Sequence, residues 1–188
     1  MRVRICDTED RIRPNPQGDY PKIDKTAYID PSAVIIGKVK IGKNVFVAPG
    51  AVIRADEPES SISISDNCNI QDRVVIHALG NSSVIIGQNT SLSHGCIVHG
   101  PCAIAKECFV GFGSVIFKAK LENGVFVKFM AVVSGVNIPS RRIILDRAVV
   151  DTINKVKLLP AVSEEFRKFS QRVLRANRNL LKGYKDAV

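Results

Sequence analysis

The sequence lacks tryptophan and holds only three histidines and nine leucines among 188 residues. It also has no stretch of 18 consecutive apolar residues, which argues against a membrane-spanning helix. The segment Met1–Asp10 is rich in charge and has no apolar run, so no secretory signal is predicted and we expect a cytoplasmic protein. The length is that of about one domain, which argues against a multidomain assembly.

The apolar residues that are present are mostly β-branched. The chain contains 23 valines and 21 isoleucines, a composition that favours β-strands. Six of the nine leucines lie at or beyond Leu145. We therefore predict a strand-forming body followed by a helix-forming tail.

An apolar residue recurs every six positions through most of the chain, with short interruptions and one slip of a residue at Leu121. Six residues suffice for one short strand and one sharp corner, so three hexads close one triangular coil. This repeat is typical of left-handed parallel β-helices. The repeated positions are Ile23, Ile29, Ile35, Ile41, Val47, Ile53, Ile64, Ile70, Ile76, Ile86, Leu92, Val98, Ile104, Val110, Ile116, Leu121, Val127 and Val133.

The predicted fold class is all-β, a left-handed parallel β-helix of about six coils with a C-terminal α-helix. We divide the chain into an N-terminal extension (1–22), the β-helix (23–150), and a linker with a C-terminal capping helix (151–188). Ser163 is the predicted N-cap of that helix, which we expect to cover an open end of the solenoid and to end near Gly183.

The tail carries most of the net charge of +9. Nine basic and three acidic residues lie between Lys155 and Val188. The aromatic residues of this segment, Phe166, Phe169 and Tyr184, follow the apolar spacing of the helix, so we interpret the charges as a solvated helix face and expect neither nucleic acid nor a membrane as partner.

Four cysteines share one phase of the repeat. Cys68, Cys96, Cys102 and Cys108 occupy the compact fifth position of a hexad, where a free thiol behaves as a small buried hydrophobe. We expect these thiols to be reduced and structural rather than metal ligands.

The three histidines have phases that suggest a shared site. His77 and His99 hold the second position of hexads one full turn apart, so they should stack on neighbouring coils. His94 holds a third position around the corner of the prism. Three imidazoles bind Zn²⁺ and leave a fourth position for water. A neighbouring subunit in a threefold ring could deliver His94, whereas the alternative is three unrelated surface histidines.

Six short motifs surround these histidines: Arg54-Ala-Asp-Glu57, Asn69-Ile-Gln-Asp72, Ile76-His-Ala-Leu79, Ser91-Leu-Ser-His94, Val98-His-Gly-Pro101 and Phe109-Val-Gly-Phe-Gly-Ser-Val-Ile-Phe117. In these motifs the sequence resembles the γ-class carbonic anhydrases. The resemblance implies a homotrimer of left-handed β-helices with Zn²⁺, or Fe²⁺ or Co²⁺, at each interface, bound by His77 and His99 of one subunit and His94 of the next. It implies reversible hydration of CO₂ to bicarbonate and a proton by a metal-bound hydroxide.

The resemblance also implies roles around the metal. Gln71 hydrogen-bonds the nucleophile and contacts substrate, and Glu57 takes part in proton movement. Asn177 faces the active site and contacts substrate; it interrupts the apolar stripe of the tail helix four residues after Val173. The resemblance implies interface or supporting roles for four residues, Arg54, Asp56, Asp72 and Asn69. Of these, Asn69 is expected to hydrogen-bond the backbone at a corner.

The sequence departs from the family pattern after His77. No carboxylate lies between Asp72 and Glu107, so proton export would depend on Glu57, Glu59 or external buffer. A catalytically weak or silent metal-binding scaffold therefore stays open as an alternative. A hexapeptide-repeat acyltransferase that uses CoA is a further alternative. Such enzymes use a single histidine as general base rather than a stacked pair.

Overall fold

The computed structural model describes residues 11–186, which form a three-sided solenoid of parallel strands followed by two helices. The first sheet has eight strands, β1 (Ile12–Arg13), β4 (Val34–Gly37), β7 (Val52–Ala55), β10 (Val75–His77), β13 (Ile97–His99), β16 (Val115–Phe117), β19 (Val132–Ser134) and β22 (Val149–Val150). The second has seven, β2 (Lys22–Ile23), β5 (Val39–Ile41), β8 (Ser61–Ile64), β11 (Ser83–Ile86), β14 (Cys102–Ile104), β17 (Lys120–Leu121) and β20 (Asn137–Ile138). The third also has seven, β3 (Tyr28–Ile29), β6 (Phe46–Val47), β9 (Asn69–Ile70), β12 (Ser91–Leu92), β15 (Phe109–Val110), β18 (Phe126–Val127) and β21 (Ile143–Ile144).

The residues of the six-residue repeat fill the interior, as the sequence predicts. From Ile35 to Val133 every one of them is at most 2% exposed. The repeat also continues beyond the predicted coils, because Ile144 and Val150 are buried in the same core. At the other end, strand β1 pairs with β4, so the first sheet begins within the segment assigned to the N-terminal extension.

The coils are not all the same length, and the extra residues gather at one corner. We call the turns from the first to the second sheet the first corner, those from the second to the third sheet the second corner, and those from the third sheet back to the first the third corner. Loops 56–60 and 78–82 lie at the first corner of consecutive coils. They contact each other, since the backbone N–H of Asn81 donates to the carbonyl of Pro58 at 3.0 Å.

The long helix α2 (Glu164–Asp186) lies along the third sheet rather than across an open end, which differs from the expected cap. Phe166 and Phe169 pack on Phe126 of β18, and Leu181 packs with Phe46 of β6. The short helix α1 (Ile153–Lys157) instead adds Val156 to the core beyond the last strands. In the part of the chain that the structure describes, neither helix has the length and apolarity that crossing a bilayer requires.

The start of α2 agrees with the sequence and its end does not. The hydroxyl of Ser163 accepts a hydrogen bond from the backbone N–H of Phe166 at 3.4 Å, as an N-cap does. The helix continues through Gly183 to Asp186, so the prediction that it ends near Gly183 is wrong. Packing of Leu181 and the ring of Tyr184 on the third sheet outweighs the low helix propensity of one glycine.

We expect Ser163→Ala to lower the free energy of unfolding by about 1 kcal/mol, because the first turn of α2 loses its side-chain acceptor. Urea unfolding followed by circular dichroism measures the change. Ser163→Asp keeps an acceptor at the same place and should stay within about 0.5 kcal/mol of the parent. Equal destabilisation by both variants would contradict the assigned cap.

The four cysteines within the described residues are free and buried, as their phase predicts. Burial raises the pKa of Cys68, Cys96 and Cys108 to about 12 and also raises that of Cys102. These thiols therefore stay protonated at neutral pH and act as core residues. The fifth cysteine, Cys6, lies outside the described residues.

Candidate metal centre

Residues at or next to the ends of four first-sheet strands form one outward-facing column. Arg54 pairs with His77, His77 with His99, and His99 with Phe117 on successive coils. The stacking of His77 on His99 is the one that the hexad phase predicts. Parallel pairing in register holds the two imidazoles on one face, at the edge of the sheet beside the first corner.

The two imidazoles contact each other directly. Nδ1 of His77 lies 3.1 Å from Nε2 of His99, and the ring planes are tilted by 77°. Nδ1 of His99 is buried and has no hydrogen-bond partner within residues 11–186. Burial, then the neighbouring charges of Arg54 and His99, lower the pKa of His77, which favours the neutral form that binds metals.

Two carboxylates approach the same histidine from the first corner. Oδ1 of Asp56 lies 3.5 Å and Oε1 of Glu57 3.4 Å from Nε2 of His77. Glu57 is held in place because its Oε2 accepts a hydrogen bond of 2.7 Å from the backbone N–H of Gly80. The two inserted loops thus position Glu57 beside the imidazole pair. We call Arg54, Asp56, Glu57, His77 and His99 the histidine-pair edge.

His94 lies at the third corner, at the opposite edge of the first sheet. Its Nδ1 is 2.6 Å from Oδ2 of Asp72, and its side chain is 52% exposed. A carboxylate that accepts the Nδ1 proton leaves Nε2 free as a ligand and fixes the orientation of the ring. Gln71 directly precedes Asp72 in the same turn. We call Gln71, Asp72 and His94 the His94 corner.

The remaining predicted site residues, Asn69 and Asn177, lie between the third sheet and α2. Asn69 is not at a corner but in β9, on the face beneath the helix, and neither end of its buried amide has a hydrogen-bond partner within the described residues. Asn177 is 7% exposed, and its Nδ2 donates to the carbonyl of Val173 at 2.9 Å. The structure thus places Asn177 against the third sheet rather than on the first.

The structure therefore divides the predicted site into two halves. Among residues 11–186, no group of three His, Cys, Asp or Glu side chains is arranged to hold a metal ion within one chain. His77 and His99 supply two imidazoles on neighbouring coils. A third imidazole with the properties of His94 would complete a donor set that suits Zn²⁺.

Two aromatic residues of the Phe109–Phe117 motif, to which the sequence analysis gave no individual role, contact the histidines. Phe117 follows His99 in the column, with ring centroids 5.5 Å apart, and Phe112 lies 5.3 Å from the ring of His94. Both positions follow from the repeat, because Phe117 and Phe112 lie 18 residues after His99 and His94. They limit the room in which each imidazole can rotate.

The chain matches a family model of the repeat and, over most of its length, known proteins. Residues 20–55 match the family model described as bacterial transferase hexapeptide (six repeats). The chain is 37% identical to the carbonic anhydrase of Methanosarcina thermophila in an alignment over 193 residues. That alignment covers 92% of this chain and 78% of the Methanosarcina protein. The chain is 35% identical over 173 residues to the carboxysome assembly protein CcmM of a Nostoc species, covering 87% of this chain but 31% of that protein.

A solved structure supports the same architecture. A hexapeptide transferase family protein from Anaplasma phagocytophilum superposes with a TM-score of 0.77 at 28% identity, covering 92% of this chain and 97% of its own. The extent of the match to the Methanosarcina enzyme includes both halves of the predicted site. The chain belongs to the γ-class carbonic anhydrase family, built on the left-handed β-helix of hexapeptide repeats.

Proposed function

We propose that this chain is a carbonic anhydrase that hydrates CO₂ reversibly to bicarbonate and a proton at sites shared between subunits of a homotrimer. The observation that carries the proposal is the position of the two half-sites. The histidine-pair edge and the His94 corner lie at opposite edges of one sheet. A ring in which one edge of each subunit meets the other edge of the next would bring three imidazoles together.

The outer faces of the three sheets support such a ring. The third sheet is covered by α2, and the second presents mainly polar residues, Lys22, Lys40, Ser63, Ile85, Ala103, Lys120 and Asn137. The first sheet presents an uninterrupted column of β-branched residues that no part of residues 11–186 covers. We call this the outer column: Val34, Val52, Val75, Ile97, Val115, Val132 and Val149.

An exposed apolar stripe of this length is typical of a subunit interface. Ile97 and Val149 are 37% and 48% exposed in the single chain. The outer column runs between the two half-sites on the same sheet. Its burial in a trimer would therefore join the histidine-pair edge of one subunit to the His94 corner of another.

The proposed metal is Zn²⁺, with Fe²⁺ or Co²⁺ as other ions that suit imidazole ligands. His77 and His99 of one subunit and His94 of the next would hold it. A metal ion in such a set supplies a nucleophile for CO₂, because it lowers the pKa of a bound water to about 7. Asp72 supports the site by orienting His94.

The surrounding residues suit the remaining steps. Glu57 is a half-exposed carboxylate next to His77, so it can accept a proton and pass it to solvent or buffer. Gln71, at the His94 corner, offers an amide to orient the nucleophile. Asn177 has an Oδ1 that makes no hydrogen bond within the described residues, and we propose it as a substrate contact. Arg54 and Asp56, 3.5 Å apart at their closest charged atoms, stabilise the edge around the histidines.

A metal-bound scaffold with weak or no activity is the second candidate. It is favoured by the absence of any carboxylate between Asp72 and Glu107 and by the similarity to a protein named for carboxysome assembly. A CoA-dependent acyltransferase is the third candidate, which the name of the matched transferase repeat favours. Two stacked histidines would be unexpected in it, because a general base needs one.

Metal analysis combined with stopped-flow CO₂ hydration tests the proposal. We expect about one metal ion per subunit and hydration above the buffer background, and we expect both to be lost in His99→Ala. A folded, metal-free trimer would overturn the proposal. A metal-loaded trimer without hydration at any buffer concentration would identify the scaffold, and acetyl-CoA turnover that survives His77→Ala would identify the acyltransferase.

The contact between Asp72 and His94 gives a separate prediction. Asp72→Asn should weaken metal affinity by about 10- to 100-fold, because the ring of His94 loses its carboxylate acceptor. Competition with a chromogenic chelator measures the affinity. Asp66→Asn changes a carboxylate at the second corner, away from the first sheet, and should leave metal affinity unchanged. An equal loss in both variants would contradict a specific role for Asp72.

A further inference from the structure

A groove of about 430 Å³ lies between α2 and the second corner, away from the first sheet and from both half-sites. Its volume is in the range of small-molecule sites. The corner side consists of turn residues from four successive coils, and the helix side of one face of α2. The residues that carry the argument are Asn89, Glu107 and Arg141 from the corners and Arg167, Arg175 and Arg178 from the helix.

The groove is strongly basic. Four arginines line it against one glutamate, Glu107. Two of the arginines already have partners: Arg167 pairs with Glu164, and Arg178 donates to Oδ1 of Asn89 at 2.9 Å. The guanidinium groups of the other two, Arg141 and Arg175, form no ion pair or hydrogen bond within residues 11–186. The second corner and α2 thus each present an unpaired guanidinium group to the groove.

The floor of the groove is preformed and apolar. Val125 is fully buried, and Phe126 and Leu174 are 3% and 9% exposed. The stem of Arg141 lies beside Gly124, whose left-handed φ of 66° shapes the turn at this corner. A rigid floor with guanidinium groups on two sides needs little rearrangement to surround a ligand.

We propose that this groove binds a small molecule that carries two or more phosphate groups. Guanidinium groups bind phosphate oxygens through paired, charge-assisted hydrogen bonds, and several of them in one groove suit an anion with several charges. The small size of the groove favours a compact polyphosphate over a nucleic acid, which would need a longer basic track with aromatic platforms. The site uses none of the residues of the proposed hydration centre.

Isothermal titration calorimetry of the full chain with pyrophosphate, ATP and adenosine tests the proposal. We expect pyrophosphate and ATP to bind with one site per subunit and adenosine not to bind. Binding of both anions assigns the phosphate groups as the recognised part, whether they come from a nucleotide or from inorganic pyrophosphate. Absence of binding by both anions at millimolar concentration, or binding of adenosine, overturns it.

Substitutions on the same helix provide a matched comparison. Arg175→Gln and, on the other wall, Arg141→Gln should each weaken binding by about tenfold or more. Arg172→Gln removes the same charge from α2 outside the groove and should change affinity by less than about threefold. All three side chains are exposed, so the variants should fold. Equal losses from Arg172→Gln and Arg175→Gln would show general charge attraction and overturn the proposal.

Discussion

Mixing two inactive variants, His77→Ala and His94→Ala, is expected to restore CO₂ hydration. Each variant destroys a different half-site, so a mixed trimer recombines an intact histidine pair from one subunit with an intact His94 from the next. Every trimer that contains both chains has one complete ordered neighbour pair out of three, so such trimers should give about a third of the parent activity. The two chains carry different affinity tags, are coexpressed and are purified through both tags in turn, and the rate is then measured by stopped flow.

A pair of variants from the same half-site provides the control. His77→Ala and His99→Ala both damage the histidine-pair edge, so no arrangement of their subunits contains an intact pair. That mixture should stay at background. Activity in the control mixture, or none in mixed trimers of the first pair, would contradict the proposed sharing of the site between subunits.

Ile97→Glu is expected to convert the proposed trimer into monomers. Ile97 lies in the middle of the outer column, and a trimer would bury the introduced carboxylate against the apolar column without a partner. Metal content and hydration should fall with the trimer, because each proposed site needs two subunits. Size-exclusion chromatography with light scattering gives the mass, and circular dichroism checks that the coil is folded.

The second sheet offers a matched position for this test. Ile85 is 49% exposed on an outer face that is otherwise mainly polar. Ile85→Glu therefore introduces the same side chain on another side of the prism and should leave the trimer intact. A monomeric parent protein, or a trimer that persists in Ile97→Glu, would show that the outer column is not the interface.

The hexad repeat made much of this arrangement predictable. The phase of the repeat placed Ile76 and Val98 inside the prism and His77 and His99 outside, one above the other. The same phase placed His94 around a corner, because pairing between coils fixes every side chain once one inward position is known. The insertion after His77 was also visible, as a break in the repeat.

Contacts that depend on three-dimensional packing were not predictable in the same way. A break in the repeat does not indicate that Gly80 donates to Glu57, since that depends on how two loops fold against each other. The location of α2 was also missed. Its apolar stripe indicated what it buries but not which surface receives it, and the aromatic column of Phe46, Phe109 and Phe126 that receives it is spread over distant coils.

The course of α2 has a consequence for how the molecule unfolds. In a solenoid each coil contacts its neighbours, so the ends can fray independently and cooperativity is limited to adjacent repeats. Here one helix packs on β18 near the end of the coil, and its last turns reach Tyr28 and the carbonyl of Lys25 near the beginning. The helix therefore couples coils that do not contact each other directly. The array should therefore melt as a single unit.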